Sequence, residues 1–428
     1  MKGSIKIISS FKEKGYDRNY IAMTLEGASF FGGVGLIAAS GAVAVFINNM
    51  TGSIILVGLA VTLQALCLSF GQLIGAPLVH SLRNIPKFLF TGMVYQRTAP
   101  LLMALPLFLY AGPYTAVSIF LVLFGLFWVA DGMLALPWGE LAARALKPEL
   151  RGHMMGMQVA IGGGVSLLTG LLLAWLLATP VLSDHYRFGF IFVLTFIVLF
   201  VSVFFIRMVK DPKPNNKPEK IDYKKYYYKL PSLIKENKIL QRVLIARIPG
   251  YIGFSAITFM VVFGANTLDI SDSQISWLVY AQIVGGLLGG IVCAEVSRRI
   301  GNKAVILLCN TGVLMTLVMA ISLAFFPSLG YIWLIVTCTL ASLWANSWLG
   351  YFSYILDIAP RENRPAFQMI SNCIGIPFSF VGYAIGAIIN EWGYAVAFVL
   401  GCITAIIAII ASVRLLSRKQ IRTLDIND

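Results

Sequence analysis

Three ionisable side chains of the N-terminal half lie inside long apolar stretches: Glu26 in TLEGASFFGG, Arg97 in MVYQRTAP and Asp131 in VLFGLFWVADGMLALPWGE. A charge at the centre of a bilayer costs roughly 2.5–3.5 kcal/mol on insertion scales, so each must face protein or water. At the rise of an α-helix, Glu26 lies about 10 Å, Arg97 about 15 Å and Asp131 about 18 Å from the charged end of its stretch. The stretches carrying Arg97 and Asp131 are consecutive and form a hairpin, so the two can meet at similar depth. Glu26 is then a surplus acid. Two carboxylates sharing one guanidinium titrate as separate steps, which is what a proton carrier requires. A buried ion pair that only fixes helix packing is the structural alternative, and direct binding of a cationic solute is a third.

Other groups could line a solute path. Trp128, Asp131, Ala135 and Trp138 share one helical face, with Gly132, Pro137 and Gly139 loosening the backbone beside them. Arg247 in LIARIPGYIG is followed on its face by Tyr251, Ser255 and Thr258. It suits an anionic group or an inner gate paired with Glu26, or it snorkels to the headgroups. Further on, Trp344, Ser347, Trp348 and Tyr351 share a face, with Asn346 at its edge. Aromatic walls with small polar groups suit sugars, aromatic solutes or amphipathic compounds, and they also pack ordinary bundle interiors. Gln64, Gln282, Gln368 and Asn372 are weaker cavity candidates. Glycines such as Gly32, Gly33, Gly162 and Gly163 permit close helix approach and bending.

The elements that position these residues follow from composition. Of 428 residues, 58% are hydrophobic and 12% charged, against about a quarter charged in a soluble domain. Mean hydropathy is +0.82. Repeated apolar runs of roughly 20 residues or more predict an all-α membrane protein. Alternating strand-like segments of a β-barrel are absent. The net charge of +14 does not point to nucleic acid. Its Lys and Arg alternate with hydrophobic hairpins on one side, leaving Arg187 in an opposite-side loop and Arg97 and Arg247 within spans. By the positive-inside rule the basic side is cytoplasmic. All six cysteines lie in apolar spans without a CxxC pair, and the three histidines fall in loops. Neither a disulfide framework nor a metal site is expected, and no cofactor.

Twelve spans are expected, near 20–47, 53–79, 88–110, 117–143, 154–180, 187–207, 242–264, 275–297, 304–326, 331–356, 367–389 and 393–413. The even number places both termini in the cytoplasm of a multi-pass plasma-membrane protein, expected to be a monomer in a bacterial inner membrane. The basic residues 1–18, with Lys2, Lys6, Lys12 and Lys14, precede a retained first helix rather than a cleaved signal. The longest outside connection surrounds Asp269 and Asp272. Residues 1–207 form one six-helix half and 242–428 the other. Between them, 208–241 is a basic cytoplasmic linker, whose part 221–240 is either an amphipathic segment on the membrane surface or a solvated connection.

The halves repeat local patterns. Ser81, Arg83 and Lys87 after span 2 recur at the same spacing as Ser297, Arg299 and Lys303 after span 8. Pro148-Glu-Leu-Arg151 after span 4 recurs as Pro360-Arg-Glu-Asn-Arg364 after span 10. Two pseudo-symmetric six-helix halves, a central basic loop and these Arg/Lys loops resemble the major facilitator superfamily over nearly the whole chain. The superfamily's loop signature, roughly G-x-x-x-D-R-x-G-R-[RK], is kept in part: Arg299-x-Gly301-x-Lys303 remains after span 8, and the acid after span 2 does not. Span 5 lacks the glycine-proline motif of many antiporters.

The resemblance implies secondary transport of a small organic solute by alternating access around a midplane site on spans 1, 4, 7 and 10. It adds weight to proton coupling, since many proton-coupled members carry an acid in span 1 or 4. No GxxxxGK[ST] motor is present. The acid in span 1 and the aromatic residues lean toward efflux of amphipathic compounds, with proton-coupled nutrient uptake as the alternative. A lipid flippase or a sensor without turnover is a further reading, and a membrane enzyme is disfavoured because no His/Ser/Asp set lies within the spans. Glu140, Glu295 and Asp357 at cytoplasmic span ends, with Arg83, Lys87, Arg151, Arg299, Lys303 and Arg364, are candidate gate residues.

Overall fold

The computed structural model describes residues 17–37, 42–178, 183–212, 222–268, 270 and 272–424. The basic segment before residue 17, residues 213–221 of the expected linker and Asp269 lie outside the described residues. The chain divides into two compact units, 1–223 and 224–428.

In the first unit the helices are α1 (Arg18–Val34), α2 (Ala42–Thr51), α3 (Ile54–Ser81), α4 (Ile85–Phe108), α5 (Pro113–Ala145), α6 (Pro148–Ala178) and α7 (Asp184–Met208). Their starts are written in the sequence. The Asp17 and Asn84 side chains accept from the N–H groups of Tyr20 and Lys87, each at 2.9 Å, and satisfy orphan donors of α1 and α4. The packing partners are α3 with α5, α1 with α6 and α7, and α4 with α5 and α7. Phe46, Phe120, Phe124, Phe188 and Phe192 fill the core at one end. Large apolar side chains such as Phe70, Val122 and Phe204 stay exposed on outer faces, as a lipid-facing surface requires.

The tightest crossing in this unit is α3 on α5. A Cβ at Gly71 would run into the Val129 carbonyl, and one at Gly132 into the Leu68 carbonyl. Helix backbones come this close only where side chains are missing.

The second unit contains α8 (Tyr223–Glu236), α9 (Lys238–Ile257), α10 (Met260–Leu268), α11 (Asp272–Arg299), α12 (Asn302–Phe325), α13 (Gly330–Trp344), α14 (Ser347–Ile358), α15 (Arg364–Cys373), α16 (Val381–Trp392), α17 (Tyr394–Val413) and α18 (Arg418–Leu424). The expected basic segment is thus the helix α8, with Lys224, Lys225, Tyr228 and Lys229 exposed. Burial pushes the Tyr226 phenol up from its ordinary range, and the neighbouring Tyr227 adds to the effect. Asn237 ends this segment by capping α9, accepting from Leu240 N–H at 2.8 Å.

The pairing of the first half recurs in the second: α11 packs on α13, α12 on α13 and α17, and α9 on α17. The glycine crossing recurs too. A Cβ at Gly285 would meet the Thr339 carbonyl and one at Gly289 the Leu343 carbonyl. Gly71-x-x-x-Gly75 and Gly285-x-x-x-Gly289 are therefore one repeated device, which the loop patterns alone do not disclose.

Over the described residues all twelve expected spans are helical, the architecture of two six-helix halves. Span 1 is carried by α1 and α2, span 7 by α9 and α10, span 10 by α13 and α14, and span 11 by α15 and α16. Among the described residues nine helical stretches are long and apolar enough to cross a membrane by themselves. Spans 3, 7 and 11 are the others. Spans 3 and 7 lose hydropathy to polar and charged side chains, Gln96 and Arg97 in one and Arg242 and Arg247 in the other, and span 11 is split into shorter helices.

Candidate functional site

Within the first unit, four helices converge on one guanidinium. Arg97 on α4 lies 3.7 Å from Glu26 on α1 and 3.6 Å from Asp131 on α5. Its Nε donates to the Ser202 hydroxyl on α7 at 3.2 Å, and Ser202 in turn donates to the Leu199 carbonyl. The ring of Phe30 on α1 sits 4.3 Å from its Cζ, in cation–π range.

Neither carboxylate is in direct hydrogen-bond contact with the guanidinium, because charge-assisted pairs close to about 2.7–2.9 Å. Gln96 bridges instead. Its amide oxygen accepts from Arg97 at 2.5 Å, and its amide nitrogen donates to Asp131 at 2.9 Å. Glu26 takes its close hydrogen bond from the Trp138 indole, at 2.9 Å.

With both acids ionised the cluster carries one net negative charge, and one proton neutralises it. The two acids differ in access. The Glu26 side chain is 3% exposed and the Asp131 side chain 16%. Asp131, Ala135 and Trp138 form the partly open stripe of α5.

Trp128 corrects the expected face. It is 4% exposed and packs edge-to-face against Phe124 and Phe127 in the core. At its depth the helix is surrounded by aromatic side chains, so the face that opens at Asp131 is closed one turn earlier.

The second unit has its own cluster around Arg247 on α9. Nη1 donates to the Ser371 hydroxyl at 2.5 Å and to the Asn372 amide oxygen at 3.2 Å. The rings of Tyr251 and Tyr351 flank it at 5.6 and 5.4 Å. Among the described residues no carboxylate lies within ion-pair distance of Arg247. Ser371 and Asn372 stand at the end of α15, just before the turns at 374–376 that interrupt span 11. Tyr251 stacks on Phe378 beyond that interruption.

The expected face of span 10 is divided. Trp344 ends α13 and packs on the second core, while Ser347, Trp348 and Tyr351 begin α14. The interruption has a local cause: buried Asn346 turns its amide to the Gly286 and Leu343 carbonyls at 3.2 and 3.3 Å. Tyr351 is only 3% exposed, and its hydroxyl donates to the Ala246 carbonyl at 2.9 Å.

Several of the candidate gate residues have partners within their own unit. Glu140 pairs with Arg144 at 2.6 Å, and Arg144 reaches Asp211 at 3.8 Å. Arg151 donates to the Ala143 carbonyl at 2.7 Å. Glu295 is held by Arg298 at 2.6 Å and by Arg299. Lys303 donates to the Val413 and Leu415 carbonyls, and Asp357 accepts from Asn302 at 2.6 Å. Arg364 is buried; Arg83 and Lys87 are exposed.

Residues that spacing did not single out include Gln96, Ser202 and Phe30. An amide beside an intramembrane arginine was the available signal for Gln96. Nothing in the sequence brings Ser202 to Arg97, since only the packing of α4 on α7 does so.

The family model of the Major Facilitator Superfamily matches residues 243–425. No curated protein matches the sequence. Solved structures do match. The proton:xylose symporter XylE bound to 6-bromo-6-deoxy-D-glucose aligns with TM-score 0.73 at 13% identity, over 95% of this chain and 98% of that one. A bacterial homologue of the iron transporter ferroportin, outward-facing, aligns at 0.72 and 12% identity over 93% and 99%. The E. coli fucose:proton symporter FucP aligns at 0.68 and 13% identity over 92% and 98%. At such identities the likeness speaks for the fold. The chain therefore shares the fold of these transporters, and its C-terminal half, residues 243–425, carries the sequence match to the Major Facilitator Superfamily.

Proposed function

We propose that the protein is a proton-coupled secondary transporter that moves a small organic solute across the membrane by alternating access. The observation that carries this reading is the Arg97 cluster: two acids on one buried guanidinium, net negative until one proton arrives. A purely structural pair needs one acid. The second acid has a use if the site alternates between charged and neutral forms. Asp131, the more exposed acid, is the entry point for the proton, and Glu26, tied to Trp138, is the inner store.

Arg247 supplies the complementary feature for the solute. A guanidinium held by a hydroxyl, an amide and two aromatic rings keeps its charge free for an anionic group of the solute. Ser347 and Trp348 are further solute contacts. Among direction readings, uptake by proton symport gains over efflux. The lean to efflux rests on the acid in span 1 and on an aromatic wall, and two members of that wall, Trp128 and Tyr351, are buried in packing. XylE and FucP, whose fold this chain shares, are proton symporters. The setting is a bacterial inner membrane with both termini cytoplasmic.

The test uses proteoliposomes with an imposed pH gradient and a radiolabelled panel of sugars and organic acids. Wild-type protein accumulates a solute uphill, and Glu26→Gln does not. Uphill accumulation by Glu26→Gln equal to wild type would remove Glu26 from the coupling.

A further inference from the structure

The cytoplasmic end of the second unit carries a cavity of about 600 Å³ lined by Arg242, Ile245, Ile407, Ile410, Ala411 and Arg414. None of these residues belongs to the Arg97 or Arg247 clusters. The cavity lies where α9 packs on α17. Residues 407, 410, 411 and 414 follow i, i+3, i+4, i+7 spacing and form one stripe of α17 and its cap. Arg242 and Ile245 form the matching stripe near the start of α9.

The groove is polarised. Arg242 comes just after the start of α9, and Arg414 is the C-cap of α17. The two helices run in opposite directions through the membrane, so both arginines stand at the basic end. Ile407 lies two turns below Arg414, about 10 Å deeper. Ile245, Ile407 and Ile410 are 60%, 48% and 54% exposed. Both arginines are exposed, and among the described residues neither has a carboxylate within ion-pair distance. Lys303 adds a third positive charge by clamping the Val413 and Leu415 carbonyls on either side of Arg414.

We propose that this groove is a binding site for one anionic phospholipid of the inner leaflet. The phosphate sits between Arg242 and Arg414, and an acyl chain runs down the isoleucines. The occupant follows from the arrangement. A soluble anion would use the arginines and leave the isoleucines uncovered. A neutral lipid would cover the isoleucines and leave two guanidiniums without a counter-charge. Only an amphiphile with a negative head satisfies both ends of the groove. The site does not depend on the proton-coupling reading and would hold for a transporter of any mechanism.

Native mass spectrometry of the full chain in detergent, titrated with phosphatidylglycerol and in parallel with phosphatidylcholine, tests it. Wild-type protein is expected to retain phosphatidylglycerol preferentially. The Arg242→Gln/Arg414→Gln variant is expected to bind it about 30-fold more weakly, from two surface arginines at their usual contribution, with phosphatidylcholine unchanged. Arg242→Lys/Arg414→Lys, which keeps the charge, should retain most of the preference. Should the double Gln variant not fold, each single Gln variant carries the test, with a loss of about fivefold. Inorganic phosphate at millimolar concentration should not displace the lipid, and displacement would identify a soluble-anion site instead. Equal retention of phosphatidylglycerol by wild type and the Gln variants, or equal retention of both lipids by wild type, overturns the proposal.

Discussion

The indole N–H of Trp138 lies 2.9 Å from the Glu26 carboxylate and ties α5 to α1. Spacing alone assigns Trp138 to a solute-facing wall; the structure makes it a ligand of the buried acid. The Arg97 cluster therefore has two kinds of support, amide to Asp131 and indole to Glu26, and the acids can be perturbed separately.

Trp138→Phe keeps an aromatic ring, a smaller one, and removes the donor. A hydrogen bond to a charged group contributes about 1.5–3 kcal/mol, so proton-driven flux should fall about tenfold or more. Flux per folded protein is the measurement. A fall in thermal stability with unchanged flux per folded molecule would make Trp138 structural only.

Arg97→Gln leaves two buried carboxylates without a cation. Breaking a buried pair from one side costs about 3–5 kcal/mol, so the variant should melt at markedly lower temperature in detergent. Adding Glu26→Gln and Asp131→Asn removes the uncompensated charge, and stability should largely return. Equal melting of the single and triple variants would show that Arg97 acts through packing alone.

Gly71→Ala places a methyl against the Val129 carbonyl, and Gly285→Ala places one against the Thr339 carbonyl. Each should destabilise the protein by about 1–3 kcal/mol, as overpacking does. Gly58→Ala, where a Cβ meets open space, should be silent. Thermal melts of the three variants decide it, and indistinguishable melts would mean that the crossing relaxes.

Tyr351→Phe removes the hydroxyl that donates to the Ala246 carbonyl and keeps the ring beside Arg247. The expected loss is about 1 kcal/mol. Tyr351→Ala should cost about 3–5 kcal/mol, the range for a buried aromatic side chain. Similar melts for the two would place the stabilisation in the hydroxyl rather than the ring.

What the sequence discloses and what it hides divide along physical lines. Hydropathy places all twelve spans, because lipid imposes a length and an apolar composition. The rarity of charge inside them picks out Glu26, Arg97, Asp131 and Arg247. Helical spacing then misleads in two places. It puts Trp128 on the face of Asp131, although neighbouring aromatic side chains close that face at its depth. It also carries one face across span 10, although Asn346 spends its amide on the Gly286 carbonyl and the helix stops there. Ser202 is invisible to any local pattern, since only the packing of α4 on α7 brings it to Arg97.

Uphill transport by Asp131→Asn in proteoliposomes tests the central claim most directly, measured beside solute exchange at equal pH on both sides. The account predicts that exchange persists while uphill, pH-driven accumulation is lost, because the carrier still alternates with the proton step removed. Wild-type pH-driven accumulation in Asp131→Asn would contradict it.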